Sequence, residues 1–199
     1  LAGIAAAEIP AREGLEVLLA ESAPFFGGIS DAYDGTLDGI PSSSWIEQQI
    51  TALEEKSNVR LRRLMSVIHL SGNGEALILE RISETGLEKT PPDYVRARLW
   101  FVKAKAVILA TGAHEKPLVF QDNAAVGVIS ACSARLLLRR YGVAVGKNVV
   151  LVSSSDEGQR TALDFKQAGI GIEQLVDLRL QPAGILLDRA KSEGIRMTF

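Results

Sequence analysis

The stretch Lys103–Pro117, KAKAVILATGAHEKP, gathers the residue types in this chain that are best suited to ligand chemistry. It opens with a short apolar run, Ala106–Ala110, which is too short for a helix and predicts a buried parallel strand. Thr111 and Gly112 follow directly, and His114–Glu115 come next. Ligands of open α/β sheets bind outside the carboxyl ends of the strands, and a glycine there lets the backbone approach a ligand closely. We therefore expect Thr111 and Gly112 to cover a ligand.

A second pattern lies at the amino end of the chain. Residues 1–12, LAGIAAAEIPAR, predict a helix, and residues 16–21, EVLLAE, predict a strand that ends in an acid. In βαβ units that bind dinucleotides, a glycine-rich turn precedes the helix, and an acid about 20 residues later holds the ribose hydroxyls. Gly3 stands 18 positions before Glu21, so it fits the last glycine of such a turn. The first strand and the other two glycines are then expected upstream of Leu1.

Each of these residues also has a plainer interpretation. Gly3 alone would suit any helix crossing, and an acid such as Glu21 often ends a strand in solvent. The pair Gly27–Gly28 is typical of the loop that wraps the adenosine half of a dinucleotide, or of a plain turn with positive φ. Taken with the strand at 106–110, the pattern favours a dinucleotide site made of Gly3, Glu21, Gly27, Gly28, Thr111 and Gly112.

Two features of the sequence carry a resemblance to a known family. A strand that ends in Ala-Thr-Gly with a proline soon after is similar to the exit strand of the first domain in two-dinucleotide-binding flavoproteins. The longer string from Ala110, ATGAHEKPLVFQDNAAVGVISACSARLLLRRYGVAVGKNVVLV, resembles the α subunits of heterotetrameric sarcosine oxidases. Relatives of that family include amine, opine and proline dehydrogenase subunits and hydrogen cyanide synthase. The resemblance covers most of the chain and is strongest over residues 110–169.

The predicted fold class is α/β, with a Rossmann-like FAD/NAD(P)-binding fold of the glutathione-reductase type. Residues 1–120 form the first dinucleotide-binding domain, which lacks its first strand. An inserted β-meander occupies about residues 59–102, with strands at 59–62, 64–70, 75–82 and 94–102 and a hairpin turn at Ser71–Gly74. The resemblance also implies a meander at this place.

Residues 121–199 predict a second, degenerate doubly wound unit that is incomplete at its carboxyl end. A helix over Ser130–Tyr141 precedes a strand at 147–152, and the turn at 153–158 reads SSSDEG. Only Gly158 remains of a phosphate-binding G-x-G-x-x-G turn, while Asp156 and Glu157 place negative charges where phosphate would bind. The sequence therefore predicts that this unit does not bind NAD(P)H at its turn. The resemblance implies a similar degeneration.

Several classes of function are disfavoured. The net charge of −2 without a basic cluster argues against nucleic-acid binding, and no apolar run approaches the roughly 18 residues of a membrane helix. The single cysteine, Cys132, lies in an apolar helical pattern that predicts core packing, and no Cys-x-x-Cys pair is present. No catalytic residue and no metal ligand set can be assigned. In the pair His114–Glu115, the histidine suits a general base, a hydrogen-bond partner of a cofactor, or a structural turn.

The resemblance implies a fragment of the α subunit of a cytoplasmic, flavin-dependent amine oxidoreductase. In that family amine oxidation occurs at a flavin carried by the β subunit, which is the expected partner. The α subunit carries FAD or NAD (ATP in some members) and supplies no catalytic side chain in this part. Two alternatives stay open, a stand-alone FAD/NAD(P)-dependent oxidoreductase and a non-catalytic nucleotide-binding scaffold subunit.

Overall fold

The computed structural model describes residues 1–28, 35–82 and 95–199 of the 199-residue chain. The chain divides into two compact units, Leu1–Gly112 and Ala113–Phe199, and each is described by itself. This division lies eight residues before the domain boundary expected after residue 120.

The first unit combines a small parallel sheet, two helices and an antiparallel sheet. In chain order its elements are α1 (Ala2–Arg12), β1 (Val17–Ala20), β2 (Thr36–Leu37), β3 (Ile40–Pro41), α2 (Ser42–Glu54), β4 (Val59–Arg62), β5 (Met65–Leu70), β6 (Glu75–Arg81) and β7 (Ala97–Lys103). The strands β1 and β4 pair in parallel, with Ala20 opposite Arg62. The helix and strand predicted at the amino end are therefore confirmed.

Helices α1 and α2 share one core. The buried positions of α1 are Ile4, Ala7 and Ala11, which recur at three and four residues and so form one face of the helix. That face belongs to the same cluster as Phe26 and the apolar side of α2, Ile46, Ile50 and Leu53. The packing fixes α1 against the parallel sheet, with the start of the helix near the carboxyl end of β1.

The inserted meander is confirmed as a three-stranded antiparallel sheet in the order β5-β6-β7. Its first strand is corrected, because Val59–Arg62 pairs with β1 in the parallel sheet and not with the meander. The alternating pattern of that strand gave its type correctly, but its partner lies about 40 residues earlier, where no local pattern points to it. The hairpin turn is confirmed, since Gly74 has a φ of 80° and donates its N–H to the Ser71 carbonyl.

The strand predicted at Ala106–Ala110 is not formed, and this expectation is wrong for the described structure. The segment has no strand pairing there, and its side chains Val107, Ile108 and Leu109 are exposed. A central parallel strand exists only through hydrogen bonds to neighbouring strands. Among the described residues, β1 pairs with β4 alone, so no strand offers the segment a partner.

The second unit is half of a doubly wound fold, as predicted. Its elements are α3 (Ala131–Tyr141), β8 (Asn148–Ser153), α4 (Asp156–Gln167), β9 (Gly171–Asp177), α5 (Ile185–Ser192) and β10 (Met197–Thr198). The three strands form a parallel sheet in the order β10-β9-β8. Helix α3 begins where the Ser130 side chain accepts from the Ser133 amide and ends at Gly142 with a φ of 64°.

Helix α4 begins at Asp156, inside the turn predicted at 153–158. Its first turn contains Asp156 and Glu157, whose charges favour the positive end of a helix. The core of the unit lies between this helix and the sheet, where Leu151, Phe165 and Leu175 are buried.

The hairpin of the meander provides a matched stability test. A Cβ atom on Gly74 would lie 2.2 Å from the Ala104 carbonyl oxygen, whereas a Cβ on Gly72 would have no neighbour within 4 Å. We expect Gly74→Ala to lower the free energy of unfolding by at least about 2 kcal/mol, because it adds a clash to left-handed strain. Gly72→Ala should change it by less than about 0.5 kcal/mol. Urea unfolding followed by circular dichroism measures both, and equal effects would contradict the turn geometry.

Candidate nucleotide-binding site

The start of helix α1 meets the carboxyl end of β1 and the segment before Thr111. A Cβ atom on Gly3 would lie 3.3 Å from the Ala110 Cβ and 3.5 Å from the Leu19 Cδ1. The structure thus brings Gly3 beside the residue that precedes Thr111–Gly112 and beside the strand that ends at Glu21. A larger side chain at position 3 would push the helix from this edge, which is the role expected of the last glycine in a dinucleotide turn.

The amino terminus of α1 has the electrostatics of an anion site. Its first turn contains no acidic residue, and none of the described side chains caps it. The first backbone N–H groups of a helix have no partner within the helix and carry partial positive charge. A phosphate group suits such an end.

Glu21 follows β1 directly and is held at the same edge. Its Oε1 accepts from the Ala23 amide at 3.0 Å and from the Ser22 hydroxyl at 3.3 Å, and the residue is half-buried. The Glu21 N–H donates to the Arg62 carbonyl at 2.9 Å, which ties the acid to the end of β4. The carboxylate is therefore positioned by the backbone at the end of the second strand.

The two glycines after Glu21 play different parts. A Cβ on Gly27 would lie 2.5 Å from the Ile46 Cδ1, so this glycine is required by packing against α2, and its φ is 99°. Gly28 has a φ of 59°, and among the described residues no atom lies within 4 Å of a Cβ built on it. The plain-turn interpretation accounts for Gly27, while no described residue fills the space at Gly28.

Thr111 and Gly112 are both exposed. Gly112 has a φ of 70°, and a Cβ atom placed on it would have no neighbour within 4 Å. Its backbone is therefore accessible to a ligand, and its conformation favours glycine.

His114–Glu115 lies at the start of the second unit, and the acid there has a structural contact. The Glu115 carboxylate accepts from the Ala131 amide at 3.2 Å and from the Cys132 amide at 2.8 Å. It therefore caps the amino terminus of α3. Burial and the neighbouring Glu115 raise the pKa of the Cys132 thiol to about 11, so the thiol stays protonated, which favours packing over a nucleophilic role.

The carboxyl edge of the second sheet has an acid that the sequence analysis missed. Asp177 ends β9 and is buried, 19 residues after Gly158, an interval close to the 18 residues from Gly3 to Glu21. That repeated interval is the signal that could have identified it. A Cβ on Gly158 would lie 2.4 Å from the Ser153 Cβ, so this glycine also permits close helix–strand packing.

This second acid, Asp177, is bonded to an arginine of the same unit. Arg179 donates to Asp177 from Nε at 2.9 Å and from Nη2 at 2.7 Å, and it reaches Asp156 through Nη1 at 2.7 Å. The Gln159 amide donates to the same Asp177 carboxylate. These bonds, those of Arg179 first, lower the pKa of Asp177 and keep it ionised.

The other acid of the α4 first turn is bonded to an arginine as well. Arg135 donates from Nη1 to the Glu157 Oε2 at 2.9 Å and from Nε to Asp164. Only 2% of Arg135 is exposed. The start of α4 is thus filled by internal ion pairs, in contrast to the start of α1.

The fold is Rossmann-like. It is shared with the L-proline dehydrogenase from P. horikoshii at a TM-score of 0.67 and 21% identity, over 92% of this chain and 35% of that one. No family model matches the chain.

In sequence, the chain is homologous to one section of the sarcosine oxidase α subunits, which confirms the resemblance drawn from its motifs. It is 30% identical over 202 residues to the subunit from Corynebacterium sp. (strain U-96). It is 32% identical over 196 residues to the subunit from Rhizobium meliloti (strain 1021). Each match includes 98% of this chain but only about a fifth of the relative's length.

Two further properties concern the described residues only. No helix within 1–28, 35–82 and 95–199 is long and apolar enough to cross a membrane. The same ranges contain no group of three His, Cys, Asp or Glu side chains placed to hold a metal ion.

The Arg179–Asp177 pair gives a pH-dependent stability prediction. We expect Arg179→Gln to lower the free energy of unfolding at pH 7 by more than a surface control does, because it leaves a buried carboxylate with fewer donors. The pKa of Asp177 is lowered in the folded chain. The Arg179–Asp177 pair therefore stabilises the folded chain at pH values above the ordinary carboxyl pKa of about 4. This stabilisation is lost as the pH falls through the pKa that Asp177 has in the folded chain. The difference between the two proteins should therefore shrink below about pH 4 in urea unfolding.

Arg189→Gln is the matched control for this experiment. Arg189 pairs with Glu193 on the surface of α5, where 62% of the arginine side chain is exposed. Its loss should cost less than about 0.5 kcal/mol. A variant of Arg179 no less stable than the control would show that the Asp177 pair does not stabilise the unit.

Proposed function

We propose that the chain is the dinucleotide-binding part of the α subunit of a sarcosine-oxidase-like, flavin-dependent amine oxidoreductase. The observation that carries the proposal is the edge of the first unit, where the acid-free start of α1 at Gly3 lies beside the strand that ends in Glu21. An anion-binding helix end next to a ribose-binding acid matches the two halves of an adenosine diphosphate group. The similarity to sarcosine oxidase α subunits supports the same function.

Each residue of the site would contact a different part of the nucleotide. The amino terminus of α1 would bind the pyrophosphate, and Gly3 lets the helix approach the sheet. The Glu21 carboxylate would accept from the ribose hydroxyls. Gly28 and Gly112, which have open space around them, would let the backbone lie against the ligand, with Thr111 beside Gly112 and Gly27 shaping the turn.

The site accommodates FAD or NAD equally well, because an acid at the end of the second strand serves either ribose. When bound, such a group supplies the redox chemistry. None of the six proposed residues has a proposed role in proton transfer, and the proposed role of Glu21 is ribose binding. The chain therefore positions a nucleotide, and oxidation of the CH–NH donor would occur at a flavin on a β subunit, in the cytoplasm.

Two rival functions make different predictions. A stand-alone FAD/NAD(P)-dependent oxidoreductase would oxidise NAD(P)H without a partner, but its second turn would have to accept phosphate beside Asp156 and Glu157. A scaffold subunit would bind nucleotide yet give no amine-dependent electron transfer when the partner is added. The internal ion pairs of the second turn disfavour the first rival.

The nucleotide itself can be identified by mass spectrometry after denaturing the purified chain. We expect one NAD or ATP per chain, without flavin, and we expect Glu21→Ala to reduce occupancy about tenfold, because it removes the ribose acceptor. Glu16→Ala is the control, since this exposed acid lies just before the same strand. FAD in the released material would favour the stand-alone enzyme, and an empty chain would exclude the proposed site.

The second unit should not bind NADPH at the turn before α4. In a fluorescence titration of the whole chain, we expect any NADPH affinity to depend on Glu21 and to be unchanged by Ser154→Tyr, which fills the exposed second turn. The physical reason is that Asp156 and Glu157 repel phosphate and are already bonded to arginines. A micromolar dissociation constant that Ser154→Tyr abolishes and Glu21→Ala preserves would contradict this prediction.

A further inference from the structure

The carboxyl edge of the parallel sheet continues past Glu21 to Arg63. Ala20 lies opposite Arg62 at the end of the β1–β4 pair, so Glu21 and Arg63 directly follow the two strands at the same edge of the sheet. The backbone around Arg63 is fixed on both sides, since the Arg62 carbonyl accepts from the Glu21 amide at 2.9 Å. The Leu64 amide donates to the Ala23 carbonyl at 3.2 Å. Arg63 therefore has a defined backbone position near Glu21 at this edge.

The planar, positively charged guanidinium of Arg63 lies against the loop that follows Glu21. Its guanidinium lies 5.0 Å from the centre of the Phe26 ring, and the ring is 6% exposed. The guanidinium also approaches the Glu54 carboxylate of α2 at 3.9 Å. About half of the Arg63 side chain, 49%, is nevertheless exposed. The aromatic ring and the acid orient the guanidinium while leaving surface for a ligand.

We propose that Arg63 binds the adenine ring of the nucleotide by stacking. The inference rests on the proposed function, in which the pyrophosphate lies at the start of α1 and the ribose at Glu21. A nucleotide laid along this edge from Gly3 to Glu21 has its base next, at the end of β4, where Arg63 lies. Guanidinium groups stack on aromatic rings, and arginine does this better than lysine because it is planar and more weakly hydrated.

This role accounts for the choice of residue and its surroundings. Adenine is the part that FAD, NAD and ATP share, so a platform for the base would serve each of them. The ring of Phe26 is buried and packs against the guanidinium of Arg63. The platform contributes to base selectivity and adds no reacting group.

The experiment compares ATP with UTP, which share the ribose and the triphosphate and differ in the base. Titration calorimetry on the whole chain should show that the wild type prefers ATP. Arg63→Ala should weaken ATP binding about tenfold and leave UTP binding within about twofold, so that the preference disappears. Arg63→Lys should retain the charge and lose most of the preference. Arg60→Ala, an exposed arginine of the same strand, should bind both nucleotides as the wild type does.

The outcomes separate this inference from the function on which it rests. Equal weakening of ATP and UTP by Arg63→Ala would assign Arg63 to phosphate attraction or loop structure and overturn base stacking. Unchanged ATP affinity in both Arg63 variants would also overturn it, with the nucleotide site intact. A wild-type chain that binds neither nucleotide would overturn the proposed function, and the role of Arg63 with it.

Discussion

The two units of this chain differ in how they use the partial positive charge at the amino terminus of a helix. At α1 the first turn contains no acid, so no carboxylate of that turn competes with an anion for its N–H groups. At α4 the corresponding turn begins with Asp156 and Glu157, which use that charge within the protein. The same local structure therefore suits the proposed ligand in one unit and serves internal stability in the other.

The close contact between helix and strand is independent of that difference. Gly3 in the first unit and Gly158 in the second both lie where a side chain would meet the neighbouring strand. Each is followed at a similar interval by an acid at a strand end, Glu21 or Asp177. The packing requirement keeps these glycines whether or not phosphate binds nearby, so a lone glycine of this kind indicates a fold and not a ligand.

Local signals explain what could be predicted from the sequence. Helix α3 follows from a capping serine at Ser130 and a left-handed glycine at Gly142, and the meander hairpin follows from its Gly-Asn-Gly turn. The strand expected at Ala106–Ala110 failed because pairing in a parallel sheet depends on distant strands that composition does not reveal. Arg179 went unnoticed for a similar reason, since its bonds to Asp156 cross from a helix to the loop after a strand.

Local sequence signals were also insufficient at the candidate site. The types of Glu21 and Gly28 predicted a site, but only the structure separates Gly27, which packs on Ile46, from Gly28, which does not. It also shows that Glu115 caps helix α3, a role that its sequence neighbourhood did not indicate.

Burial of Arg135 makes the acids of the second turn difficult to remove. An arginine that is only 2% exposed must be neutralised by hydrogen-bonded carboxylates, and here Glu157 and Asp164 both accept from its guanidinium. Restoring a glycine-rich phosphate turn at 156–157 would take away one of these carboxylates. The change that would recover phosphate binding would thus weaken the contact between α3 and α4. The stability of the second unit therefore opposes nucleotide binding at its turn, and the first unit, whose helix start carries no such acids, is the proposed place for the nucleotide.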